Sequence, residues 1–340
     1  MSILIKAGHF AMLIVFIFIF GFKPEKKLFA ESENLHTAAY ELVKDWPQLP
    51  EGYQLSQVTG VAIDQSQNVF LFHRTGRVWT TPFPDSLISS NTILMLDRKS
   101  GKVLNSWGAN QFIMPHGITV DKENNVWVTD VALQQVFKFS HEGKLLMTLG
   151  EAKKAGSDAT HFNLPTDVAI ADDGSFYVSD GYGNSRVVRF SRQGKYLFEW
   201  GRRGDKEGEF HTPHGIDLDA QGNVYVADRD NNRIQEFDAN GKFIKQWKNP
   251  QAEQLYSLTI DKKENALFAI DYLTLPGDII KGSDILLFGP GLQPGSRFGR
   301  SGGYDGPVCR YHDIAIDNEG SLYVGDILGN RIQKFRRLRE

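Results

Sequence analysis

His214-Gly-Ile-Asp-Leu-Asp-Ala-Gln-Gly-Asn-Val-Tyr-Val-Ala-Asp228, continued by Asn232-Arg-Ile-Gln-Glu-Phe-Asp238 and Gly241-Lys-Phe-Ile-Lys-Gln-Trp247, decides the fold. Apolar residues alternate along four short runs with turn residues between them, the pattern of four successive strands. The unit recurs. Strand starts fall at about Val58, Pro115, Leu164, Thr212, Leu255 and Arg310, which makes six copies. The aligned residues Asp64, Asp121, Ala171, Asp219, Asp261 and Asp317 lie 57, 50, 48, 42 and 56 residues apart. Repeats of roughly 40–50 residues with four strands each predict an all-β, six-bladed β-propeller, over residues 58–336. An open β-sandwich would not explain such even spacing. Length alone would suggest about two domains, but blades add to a ring without splitting its core. The 33 glycines suit the many hairpin turns of such a ring.

A second regularity lies inside the first. His116 and His214 stand in Pro-His-Gly, and His312 in Tyr311-His312-Asp313, each 98 residues from the next. The intervening copies read Pro165-Thr166-Asp167 and Tyr256-Ser257-Leu258. Alternate blades of a six-bladed ring therefore aim three imidazoles at one axis. A lone Pro-His-Gly is most often a turn histidine, but three at three-fold spacing form a zinc site with an open fourth position. His73, His141, His161 and His211 share no such register and read as ordinary surface or packed residues.

The start of each first strand and the end of each second strand share one mouth of the channel. Those ends include Phe72-His73-Arg74, Ser179-Asp180-Gly181-Tyr182 and Ala227-Asp228-Arg229. Arg74, Tyr182 and Arg229 are thus expected to rim the pocket that holds the imidazoles. Two guanidinium groups, a phenol and a metal describe a site for an anionic substrate with an ionisable hydroxyl.

Outside the ring, Phe10 to Phe22 is an apolar run preceded by Lys6. As a helix it would span roughly 20 Å, short of the ~30 Å hydrocarbon core. Residues 1–30 are therefore expected to be a signal peptide cut after Ala30, with an uncleaved membrane anchor as the alternative because Leu28 is poor at the −3 position. Either way the propeller is expected to be exported. Residues 31–57 form a lead-in in which Glu41–Trp46 predicts a short helix stopped by Pro47 and Pro50. This segment is also a candidate to close the ring, because the last blade runs only to about Phe335 and shows three strands. Residues 337–340 form a tail. Cys309 is the only cysteine, so no intramolecular disulfide is possible. The formal charge of −3 and the lack of a basic stripe argue against nucleic acid, and a monomer is expected.

The copies resemble NHL repeats, through Asp219–Asn223 with Asn232–Ile234 and through Asp317–Gly320 with Asn330–Ile332. More narrowly, Trp127-Val-Thr-Asp-Val-Ala-Leu-Gln-Gln-Val-Phe-Lys138 and Val178-Ser-Asp-Gly-Tyr182 with Asn184-Ser-Arg186 resemble the peptidyl-α-hydroxyglycine α-amidating lyases. The likeness extends over roughly residues 57–335. It implies zinc on His116, His214 and His312, with Arg74, Tyr182 and Arg229 as the catalytic set. It also implies a structural calcium on the Asp313 carboxylate and the main-chain oxygens of Val61 and Ile118. The expected substrate is a small molecule or peptide ending in α-hydroxyglycine, cleaved to an amide and glyoxylate. Within that scheme Arg74 is expected to partner the Tyr182 phenolate, and Arg229 the substrate carboxylate. The sequence departs from the family at Gly183, Tyr225 and Glu236, where animal members carry cysteines, and at Arg310-Tyr311, which replace Met-Pro. A non-catalytic NHL binding module, a calcium-dependent lactone or ester hydrolase, and a lyase for a small carbinolamide such as ureidoglycolate are the alternatives. The hydrolase would require an axial cluster of acidic residues that the sequence does not show.

Overall fold

The computed structural model describes residues 39–250 and 253–338. The apolar run and the expected cleavage point lie outside the described residues. Six antiparallel sheets, five of four strands and one of five, follow one another around a ring. The first blade is β2 (Val58–Ile63), β3 (Val69–His73), β4 (Ile93–Leu96) and β5 (Val103–Trp107). The second comprises β6 (Pro115–Val120), β7 (Val126–Asp130), β8 (Gln135–Phe139) and β9 (Leu145–Leu149). The third runs through β10 (Pro165–Ile170), β11 (Phe176–Asp180), β12 (Arg186–Phe190) and β13 (Tyr196–Trp200). In the fourth are β14 (Pro213–Leu218), β15 (Val224–Asp228), β16 (Arg233–Phe237) and β17 (Phe243–Lys248). The fifth holds β18 (Gln254–Asp261), β19 (Ala266–Leu275), β21 (Asp284–Gly289) and β22 (Gln293–Gly299), with β20 (Ile279–Gly282) paired to the far end of β19.

The sixth blade is built from both ends of the described chain. Its inner strands are β23 (Tyr311–Ile316), β24 (Leu322–Asp326) and β25 (Arg331–Arg337), and its outer strand is β1 (Tyr40–Leu42). Tyr40 lies opposite Arg337 and Leu42 opposite Phe335. The ring thus takes in part of the lead-in, and its last strand runs past Phe335. The helix expected over Glu41–Trp46 is absent: Glu41 and Leu42 extend against β25, the Val43 N–H donates to the Lys334 carbonyl, and a turn follows at Lys44 and Asp45.

Burial follows position in the blade. Every residue of β7 and β15 is buried, because second strands sit between neighbouring sheets. The outermost β17 alternates strictly between half-buried and exposed, matching its Phe-Ile-Lys-Gln-Trp-Lys sequence. Core clusters bridge adjacent blades: Phe72 and Ile93 of the first meet Val128 and Phe137 of the second. Likewise Ala227 and Ile234 of the fourth meet Ala269 and Phe288 of the fifth. The aligned aspartates lock the hairpins between first and second strands. Oδ1 of Asp64, Asp121 and Asp219 accepts the N–H of Asn68, Asn125 and Asn223 at 2.7, 2.8 and 2.8 Å. Among the described residues no helix is long and apolar enough to cross a membrane.

Candidate active site

The imidazoles are placed by a second set of aspartates, buried at the ends of second strands. Asp130 accepts the N–H groups of Ile113 and Met114, the residues that lead into Pro115-His116. Asp228 does the same for His211 ahead of Pro213-His214, and Asp326 for Arg310 ahead of Tyr311-His312. Each histidine therefore enters its inner strand from a loop fixed to its own blade. In the first blade His73 takes this position, and its Nδ1 accepts the Ser56 N–H at 3.4 Å.

His116, His214 and His312 converge at the axis. Their ring centroids are 4.8, 4.7 and 4.9 Å apart, a nearly equilateral triangle. Nδ1 of each lies 2.7 Å from a backbone carbonyl of the following blade, at Thr166, Tyr256 and Thr59 respectively. A carbonyl only accepts, so Nδ1 carries the proton and Nε2 keeps its lone pair toward the axis. All three rings are buried, and burial is the main reason their pKa values fall; His116 is pushed down to about 3. Their donor atoms lie within 4.8 Å of one another, so these neutral imidazoles can hold a metal ion.

Tyr182 closes one side of the triangle. Its hydroxyl is 3.0 Å from His116 Nε2 and 2.9 Å from His214 Nε2. Arg229 Nη1 donates to the same oxygen at 3.4 Å, and its guanidinium lies 5.1 Å from the Tyr182 ring. Arg229 is itself gripped by Asp230, Nε to Oδ1 at 3.0 Å and Nη2 to Oδ2 at 3.2 Å. Arg74 is almost fully buried at the same mouth, but it donates to neutral acceptors, the Pro115 carbonyl at 3.1 Å and Gln57 Oε1 at 2.8 Å. Arg229, not Arg74, is therefore the guanidinium that touches the phenol. Burial pushes the Tyr182 pKa up, while the charge of Arg229, followed by those of Arg74 and Arg310, opposes that rise.

The NHL repeat family matches residues 112–139, 162–190 and 210–237. The chain is 37% identical over 310 residues to peptidyl-glycine α-amidating monooxygenase B of Xenopus laevis, covering 86% of this chain and 35% of that protein. It is 34% identical over 337 residues to peptidyl-α-hydroxyglycine α-amidating lyase 1 of Drosophila melanogaster, covering 85% and 58%. With human NHL repeat-containing protein 3 it shares 30% identity over 262 residues, covering 73% and 72%. The chain belongs to the NHL-repeat proteins, and over most of its length it is similar to the peptidyl-α-hydroxyglycine α-amidating lyases. It spans about a third of the Xenopus protein and under two thirds of the Drosophila one. A streptogramin B lyase structure superimposes with a TM-score of 0.56 at 16% identity, covering 88% of this chain and 98% of that one, which shows the fold alone.

Below the imidazoles, Val61, Ile118 and Asp313 line a cavity of about 200 Å³ with Asp167 and Asp217, an axial group of acidic residues that the sequence reading takes to be absent. Asp313 accepts the Ser257 hydroxyl at 2.7 Å and the Val61 N–H at 2.8 Å. Asp167 accepts the Ile216 N–H at 3.1 Å. Burial raises both carboxyls, and each is raised further by a neighbouring carboxylate, Asp313 for Asp167 and Asp217 for Asp313. Three neighbouring carboxyl groups in one cavity suit a hard cation.

Several site residues went unrecognised in the sequence of this family member. Tyr256, not Ser257 as the aligned triplets suggested, occupies the histidine register of the fifth blade and lies 5.1 Å from the His214 ring. That register was the available signal. Trp79 comes from the long loop after β3, with its ring 5.1 Å from Tyr182 and 5.4 Å from the Arg74 guanidinium. Nothing in the repeat pattern marks it, because the loop has no counterpart in the other blades. Asp230 and Gln57 matter only through the arginine each one holds.

Proposed function

We propose that this chain is a zinc-dependent carbon–nitrogen lyase, cleaving a peptidyl-α-hydroxyglycine into an amide and glyoxylate. The observation that carries the reading is the Tyr182 hydroxyl, seated against Nε2 of both His116 and His214 and touched by Arg229. A base at that point meets a hydroxyl presented to the three imidazoles. The substrate, R-CO-NH-CH(OH)-COO⁻, collapses when its hydroxyl proton is removed. The C–N bond breaks, its electron pair goes to nitrogen, and the oxygen becomes the aldehyde of glyoxylate. Tyr182 takes the hydroxyl proton and returns a proton to the leaving nitrogen, so the enzyme ends unchanged. Zinc, when held by His116, His214 and His312, supplies Lewis-acid stabilisation of the developing negative charge.

The two arginines divide the remaining work. Arg229 is held in place by Asp230 and set on the phenol, so its charge steadies the tyrosinate. Arg74 has only neutral partners, so its charge is available for the substrate carboxylate. This exchanges the roles expected from the sequence. Calcium is proposed on Asp313 with the main-chain oxygens of Val61 and Ile118, and Asp167 adds charge to the same cavity. The propeller is proposed to act outside the cytoplasm, led there by residues 1–30.

The test couples metal analysis to glyoxylate release from a peptide ending in α-hydroxyglycine. Purified protein should hold about one zinc per chain and release glyoxylate. His116→Ala, His214→Ala and His312→Ala should each lose the metal together with the activity. Full zinc in all three variants would remove the proposed centre. Glyoxylate release from ureidoglycolate alone would move the substrate to the small carbinolamides.

A further inference from the structure

Arg310 reaches the mouth from the loop that leads into β23. Its Nη2 donates to the Tyr256 hydroxyl at 2.6 Å. The guanidinium lies 5.5 Å from the Tyr256 ring and 4.6 Å from the Tyr272 ring. Tyr256 in turn touches the metal-binding rings, 5.1 Å from His214 and 5.7 Å from His312. Arg310 therefore stands one aromatic ring away from the imidazole triangle.

Three arginines packed into the blades have carboxylate partners, Arg186 with Asp180, Arg233 with Asp228 and Arg300 with Asp271, whereas Arg74 has none. Arg229 has Asp230. Among the described residues Arg310 has no ion-pair partner, and its Nε is buried without any hydrogen bond. Two tyrosine faces hold the cation in place but do not neutralise it. Arg310 is half-buried and meets no carboxylate, so its charge and the unbonded side of its fork are free to take an anion at the mouth. The charge of Arg310 also opposes that of Arg74, so the two cations act on the same space.

The lyase reading assigns one carboxylate to the substrate, and Arg74 takes it. Arg310 is left over. We propose that Arg310 is a specificity residue that recognises a second carboxylate, carried on the acyl side of the scissile C–N bond. The favoured substrate class is then an acyl-α-hydroxyglycine whose preceding residue is acidic. This rests on the lyase reading and adds the identity of the acyl part. The tyrosine pair holds the guanidinium with an unbonded edge, so that the carboxylate binds by charge-assisted hydrogen bonds.

The experiment compares N-acetyl-Glu-α-hydroxyglycine with N-acetyl-Gln-α-hydroxyglycine, which differ in charge and hardly in shape. Wild type should prefer the Glu substrate at least ten-fold in kcat/KM, mainly through KM, and the preference should shrink as salt is raised. In Arg310→Gln the two substrates should come within about two-fold of each other. Arg310→Lys keeps the charge without the fork and should retain part of the preference. Equal use of both substrates by wild type overturns the inference, as does a Glu preference that survives in Arg310→Gln. Glyoxylate from the Gln substrate alone leaves the lyase reading standing while the inference falls. Glyoxylate from neither substrate sinks both.

Discussion

At Tyr182 one hydroxyl meets two imidazole nitrogens and a guanidinium, and this crowding gives each residue a separable phenotype. Tyr182→Phe removes the proton carrier and leaves the imidazoles in place. Zinc should stay near one per chain while turnover falls by about two to four orders of magnitude, as for loss of a general base. Near-normal turnover would assign the proton step to another group. The arginines should separate by kinetic parameter. Arg229→Ala should act mainly on kcat, because it removes the cation beside the phenol. Arg74→Ala should raise KM, with a loss of roughly 2–5 kcal/mol for an unpaired anionic partner. A substrate analogue without the carboxylate should then be nearly indifferent to Arg74→Ala. The same pattern in both variants would refute the division of roles. The histidines were legible in the sequence because a 98-residue interval in a six-fold ring leaves them one place to meet. The direction in which each guanidinium turns was not legible. It is settled by Asp230 beside Arg229 and Gln57 beside Arg74, and these are contacts that strand register does not encode.

Between residue and ring, the decisive element is the inner strand and its spacing from the next one. Gly215 follows His214, and a Cβ there would sit 2.7 Å from Ser257 Cα in the fifth blade. The neighbour is backbone, so it has no flexible end to move aside. Gly117, after His116, meets the Thr166 carbonyl at 2.6 Å in the same way. Pro-His-Gly therefore reads as a packing rule as much as a ligand motif. In the second and fourth blades the small residue lets the next inner strand approach until Nδ1 reaches its carbonyl, whereas His312 makes the same contact with Asp313 in that place. Gly215→Ala should force β14 from β18 and loosen the bond from His214 to the Tyr256 carbonyl. Zinc affinity, measured by competition with a chelator, should fall about 10–100-fold, the usual effect of losing an orienting partner. Unchanged affinity would show that the imidazole holds its aim without that carbonyl. Strand positions were largely readable from alternation, and all six inner strands begin within one residue of their expected starts. The lead-in misled because Glu41–Trp46 has a locally helical composition, while the partner that makes it extended lies at the other end of the described chain.

Ring closure sets the stability of the whole molecule, since a propeller holds its axis only while its seams stay shut. β1 shuts the seam between the fifth and sixth blades. Tyr40 is buried there, stacked on Phe298 with ring centroids 5.4 Å apart and planes 10° from parallel, and edge-on to Phe268 at 6.1 Å. Next to it, Glu41 is exposed and its ion pair with Arg336 lies at the surface. The two neighbours therefore test what holds the strand. Tyr40→Ala leaves the backbone pairing with β25 but empties the seam, so it should cost about 3–5 kcal/mol, as for aromatic truncation in a core. Glu41→Ala loses only an exposed pair and should cost ~1 kcal/mol or less. Urea unfolding midpoints followed by tryptophan fluorescence would measure both. Zinc content of the still-folded Tyr40→Ala protein should match wild type, because the imidazoles ride on inner strands of the second, fourth and sixth blades. Equal and small costs for the two substitutions would mean that backbone pairing alone closes the ring. Zinc loss from folded Tyr40→Ala would mean that the outer seam and the axial triangle are mechanically coupled, so that closure at the rim helps to hold the histidines at the centre.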